Sequence, residues 1–174
     1  MGTKADQKTL GRLAAAVRKG MPLSGEMVLR TICDRMAEMR GRPIDLRIRP
    51  FPAGMVASGL WINLPDKDVI VVEECTDLDH QIVILGHELG HMRAAHEGID
   101  ADGLQVAARM LDDGADLSLV TSIAARSCCD EVQEGEAETF GLLLGSYISP
   151  LLERVEYEQR LTPLEKRMAT SFGL

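Results

Sequence analysis

The spacing of apolar positions along this chain changes twice, and each change marks a different kind of element. Residues 5–19 and 25–40 repeat their apolar positions at helical spacing, the second stretch bounded by Ser24 as an N-cap and Gly41 as a stop. The period then falls to two. Ile44-Asp45-Leu46-Arg47-Ile48-Arg49 alternates strictly, Gly59-Leu60-Trp61-Ile62-Asn63 is short and apolar, and Val69-Ile70-Val71-Val72 is a β-branched run following the turn Pro65-Asp66-Lys67-Asp68. These predict a three-stranded antiparallel sheet. Helical spacing returns at Leu78, Ile82, Leu85, Leu89 and Met92, with Thr76 or Asp77 placed to cap the helix.

Beyond that helix, residues 97–103 are polar and punctuated by glycine, 104–111 read as a helix, and 112–116 read as an acidic turn without calcium-loop spacing. Residues 131–141 begin a further helix, acidic in its first turns and apolar from Leu142. From Pro150 onward, Leu151, Leu152, Val155, Leu161, Leu164 and Met168 alternate with charged residues, as in one or two surface helices. The expected architecture is α+β, a mostly helical single domain over 1–174 with the small sheet packed beside the helix of residues 78–92. Within it, 1–23 form an N-terminal helix, 24–150 the core and 151–174 a helical tail.

Chemistry concentrates at His87-Glu88-Leu89-Gly90-His91. Two histidines four apart share one helix face and can grip a zinc ion, while the glutamate between them reaches water on the same metal. The apolar stripe of that helix faces the core, so the ligands lie on an adjacent face, and Gly90 admits a close neighbour. A catalytic zinc usually takes three protein ligands. The third is sought on the later helix, where Glu134, Glu138, Gly141 and Gly145 form one stripe whose far end is cleared for close helix packing. Glu134 is the candidate ligand and Glu138 the candidate group behind it, holding a histidine through its other ring nitrogen. Glu136 points about 200° away from Glu134. The plainer reading of the same acids is a solvated helix start favoured by the helix dipole.

His87-Glu88-Leu89-Gly90-His91 followed by Glu134-Gly135-Glu136-Ala137-Glu138-Thr139-Phe140-Gly141 resembles the HELGH and ExxA(D/N)xFA pair of ImmA/IrrE-type metallopeptidases. The lead-in Asp68-Val69-Ile70-Val71-Val72-Glu73-Glu74, with Thr76, His80 and Ile84-Leu85, is similar to actinobacterial members, and the likeness runs over roughly residues 24–150. It implies zinc held by His87, His91 and Glu134, Glu88 as general base, and a small sheet flanking the zinc helix. It also implies a substrate: a helix-turn-helix transcriptional repressor, often encoded nearby, cleaved in a stress or mobile-element response. The chain departs from the family at Ala95-His96, where a histidine often follows the motif by four residues. It departs again at Glu138, where Asp or Asn is usual, and at Leu143-Leu144-Gly145-Ser146, where Leu-Leu-Met-Pro often closes the helix.

Composition narrows the remaining choices. The 174 residues suit one domain with a sizeable core, filled by aliphatic side chains because aromatics make up only 3%. No run of about eighteen apolar residues exists, and the charged N-terminus through Lys4, Asp6, Lys8, Arg12, Arg18 and Lys19 has no signal-peptide core, so a cytoplasmic protein is expected. Asp6 also occupies the Ser/Thr position that myristoylation would need. Cys33, Cys75, Cys128 and Cys129 lack CxxC spacing and read as reduced, mostly buried thiols. A net charge of −8 argues against direct nucleic-acid binding. One local basic cluster, Arg40, Arg42, Arg47 and Arg49, solvates a strand or receives an acidic peptide.

For peptide hydrolysis an oxyanion stabiliser is needed, and Tyr147, Tyr157, His80, His96 or a backbone N–H are the candidates. An extended substrate can add to a sheet edge by main-chain hydrogen bonds. The competing class is a non-catalytic module that sequesters a regulator or a toxin partner. Retention of Glu88 favours catalysis, since a structural zinc has no use for it.

Overall fold

The computed structural model describes residues 3–21, 23–51, 57–94 and 131–160. The sequence features at 95–130 and beyond 160, including His96, the acidic turn, Cys128 and Cys129, lie outside the described residues. Among those described, the order is α1 (Lys4–Gly20), α2 (Gly25–Arg40), β1 (Ile44–Arg49), β2 (Gly59–Asn63), β3 (Asp68–Glu73), α3 (Leu78–Ala94) and α4 (Glu131–Arg160). The architecture is α+β and mostly helical, as the periodicity predicts.

Local chemistry sets the helix ends. Thr3 and Asp6 form a reciprocal capping box on α1, and Ser24 accepts the Met27 N–H at 3.4 Å to start α2. α2 stops at Gly41, whose φ of 69° lies in the left-handed region that a side chain disfavours, and whose N–H returns to Ala37 O.

The sheet differs from the antiparallel one expected. Its order is β1-β3-β2: β2 runs antiparallel to β3 through the turn closed by Leu64 N–H and Lys67 O, but β1 runs parallel to β3. Alternation along a strand reports which residues face the core and says nothing of strand direction. The unbroken Val69-Ile70-Val71-Val72 run reports a strand covered on both faces, which the edge strand β2 shares at Leu60-Trp61-Ile62, so it does not give the strand order. Asp68 through Val72 are all buried.

The core joins Leu10, Leu13 and Val17 of α1 to Val28, Leu29 and Ile32 of α2, Ile70 and Val72 of β3, and Ile82, Leu85, Leu89 and Met92 of α3. From α4 come Phe140, Leu144 and Ile148. Burying one such side chain stabilises the fold by roughly 1.5–3 kcal/mol. α1 is tied to the end of α3 by an ion pair between Asp6 and Arg93, whose guanidinium lies 5.3 Å over the Phe140 ring.

α4 passes through Pro150 without ending there, where a new helix was expected. Proline removes one ladder bond, to the carbonyl of Ser146, and both residues are exposed, so water can serve the freed carbonyl. No described helix is long and apolar enough to cross a membrane.

Candidate metal centre

α3 starts where Asp77 Oδ1 accepts the His80 N–H at 2.9 Å, so Asp77 acts as the cap. Its apolar stripe is fully buried, with Ile82, Leu85, Leu89 and Met92 at 0% exposure, which fixes the rotation of the helix and turns His87 and His91 toward α4.

The two helices meet backbone to backbone. A Cβ added at Gly86 would stand 2.7 Å from Gly141 Cα, and one at Gly90 would stand 2.8 Å from Ala137 Cα. One at Gly141 would stand 2.6 Å from Val83 O and 3.0 Å from His87 N. Real Cβ atoms do not approach so closely, so the crossing exists only because Gly86 and Gly90 face Ala137 and Gly141. Glu134 lies one turn before Ala137, and the close crossing carries it to the histidines.

There, three ligand atoms converge. His87 Nε2 and His91 Nε2 are 3.0 Å apart, Glu134 Oε2 is 3.4 Å from the first and Glu134 Oε1 is 3.5 Å from the second. A metal ion about 2.0–2.1 Å from each of its ligands in a tetrahedron spaces them about 3.3 Å apart. The donor set therefore fits zinc in number, type and separation. With no metal between them, the two ring nitrogens are placed to share one hydrogen bond, its donor set by the tautomers. Among the described residues this is the group of histidine, cysteine and acidic side chains able to hold a metal. Glu134 forms the more open side of the group, its side chain 48% exposed against 9% for His91.

Glu88 lies in the wall of this site and is buried. Burial, with the nearby charge of Glu134 adding, pushes its carboxyl up to about 8 against the opposing hydrogen bond from the Trp61 backbone N–H. That bond identifies which sheet edge borders the site. Ser58 and Leu64 direct their backbone groups at β3, so in this antiparallel pair the alternate residues Gly59, Trp61 and Asn63 direct theirs to the other edge of β2, where no strand pairs among the described residues. Gly59 is there from necessity: a Cβ on it would stand 2.5 Å from Glu88 Oε1 and 2.7 Å from Ile84 Cγ2.

The other sequence candidates fall as follows. Glu138 is exposed and outside the metal group. Glu136 is exposed and outside the metal group. Tyr147 and Tyr157 sit about 20 and 35 Å along α4 from Glu134 at 1.5 Å per residue, too far to serve the same reacting carbonyl. His80, two turns before His87, lines an open cavity of about 380 Å³ with Asp77, Asp79, Val83, Gly145 and Ser149.

The basic cluster turns inward in part. Arg40 and Arg42 reach the buried carboxylate of Asp68 at 3.4 and 3.2 Å, and Arg47 pairs with Asp45 at 3.1 Å. Sequence reasoning missed Gly86, Ala137, Gly59, Trp61 and Asp68. The paired small-xxx-small spacings, Gly86 with Gly90 and Ala137 with Gly141, were the signal available for the helix crossing.

Comparisons of the chain with protein-family profiles, with curated proteins and with solved structures gave no match.

Proposed function

We propose that the protein is a zinc-dependent metallo-endopeptidase of the cytoplasm, with His87, His91 and Glu134 as metal ligands and Glu88 as general base. The observation that carries this reading is the convergence of three ligand atoms from two helices, within 4.8 Å of one another, beside a buried glutamate. Zinc there would supply Lewis acidity and a more acidic water. Glu88 would accept the proton of the attacking water and return it to the leaving amine. The outer edge of β2, unpaired among the described residues and set against Glu88 at Gly59, would offer an extended polypeptide main-chain partners.

The substrate we propose is a helix-turn-helix transcriptional repressor, a reading that leans on the resemblance of the two motifs to ImmA/IrrE-type peptidases. An acidic chain suits capture of a basic regulator. The test is incubation of the protein with a helix-turn-helix regulator encoded beside it, with zinc or manganese, with chelator, and with Glu88→Gln. Cleavage at one place, lost with chelator and in the variant, is the expected result. Stable binding without cleavage under all conditions would favour the sequestering module.

A further inference from the structure

We infer that Asp68 is a positioning residue for this site: its buried carboxylate joins the Trp61 indole to the Arg40 guanidinium, and so fixes together the strand that borders Glu88 and the helix end that carries His91. The inference rests on the metallopeptidase reading for its catalytic meaning, and on geometry alone for its structural content.

Asp68 opens β3 and its side chain is wholly out of solvent. Trp61 Nε1–H donates to Asp68 Oδ1 at 3.0 Å. Trp61 is two residues from Gly59, against which Glu88 Oε1 is set, so anchoring the indole anchors the stretch of β2 beside Glu88. On its other oxygen, Asp68 meets Arg40 at 3.4 Å and Arg42 Nε at 3.2 Å. Arg42 goes on to Lys67 O at 3.0 Å and Asn63 Oδ1 at 3.1 Å, clasping the β2-β3 turn.

Arg40 carries the link to the metal helix. While one terminal nitrogen faces Asp68, Nη1 donates to Met92 O at 2.8 Å. Met92 follows His91 in α3, so this bond ties the Arg40 guanidinium to the backbone beside a candidate ligand. One carboxylate thus sets the angle of a guanidinium on His91's side and of an indole on Glu88's side. Only the Asp68 side of these pairs is buried, and a buried carboxylate left without its partners is costly, which holds the three groups together.

The test uses the full chain labelled with [15N]tryptophan. Trp61 is the only tryptophan, so the spectrum holds one backbone amide and one indole peak. In the wild type, Glu88→Gln should move the backbone amide peak. Asp68→Asn should move the indole peak, move the backbone amide, and reduce the amide's response to Glu88→Gln to less than about half, with Co2+ affinity falling by about tenfold, the low end for groups behind metal ligands. A shifted indole with the amide, its response and the Co2+ affinity all as in the wild type would overturn the inference. Should Asp68→Asn fail to fold, Arg40→Gln tests the second arm: a comparable loss of Co2+ affinity supports it and unchanged affinity overturns it. A wild type that takes up no Co2+ would sink the metallopeptidase reading, while the amide response would still decide the role of Asp68.

Discussion

Gly90 of α3 faces Ala137 of α4 so closely that a Cβ on the glycine would stand 2.8 Å from the alanine Cα. Glu134 and His91 lie one turn before Ala137 and next to Gly90, so this contact sets the separation of two candidate metal ligands from distant parts of the sequence. Gly90→Ala should push the helices apart. Its gain in helix propensity, about 1 kcal/mol, is offset by overpacking of about 1–3 kcal/mol. Zinc affinity should fall more than stability does, which a zinc competition titration beside a thermal melt would reveal; unchanged affinity would refute the role of the crossing.

The three acids of α4 should separate by metal affinity. Glu134→Ala removes a ligand and should weaken zinc by more than about a hundredfold, beyond the range for groups behind the ligands. Glu138→Ala and Glu136→Ala should each cost less, since both side chains are exposed. Competition with a chromophoric chelator measures all three, and a larger loss in Glu136→Ala would overturn the assigned helix face.

Cys33 should be inert in the folded protein. Burial pushes its thiol up to about 12, with Asp34 adding to the rise and Arg30 opposing it. The thiolate is the nucleophile, so iodoacetamide at pH 8 should modify the exposed Cys75 and spare Cys33 until denaturant is added. The same shift has a sign for stability. Above the thiol's ordinary value of 9.0 the unfolded chain ionises while the folded chain does not, so folding loses stability progressively as pH climbs from there toward 12. Labelling of Cys33 at pH 8 in the native state would contradict its burial.

Asp6 serves two structures at once, the α1 capping box and the ion pair with Arg93. Asp6→Ala should destabilise the protein by about 1–2 kcal/mol, most of it from the lost cap. Urea unfolding measures this, and a difference below about 0.3 kcal/mol would show that α1 contributes no such anchor.

What the sequence revealed of this molecule depended on whether the signal was local. His87, Glu88 and His91 belong to one helix, and a period of 3.6 places them without reference to anything else. Glu134 needed only a second local period, plus the assumption that a third ligand exists. The sheet order depended on which strand lies between which, and alternation along Ile44–Arg49 is the same for a parallel and an antiparallel neighbour. Asp68 was legible only as a turn residue, because its partners Arg40 and Trp61 come from other elements and nothing in their spacing announces the contact. Gly59 was likewise one more glycine until Glu88 was set against it.

The zinc content of the protein purified without chelator tests the central claim most directly, read by elemental analysis beside His91→Ala and Glu88→Gln. The account predicts about one zinc per chain in the wild type and in Glu88→Gln, and little in His91→Ala. No zinc in the wild type after reconstitution, or equal zinc in His91→Ala, would contradict it.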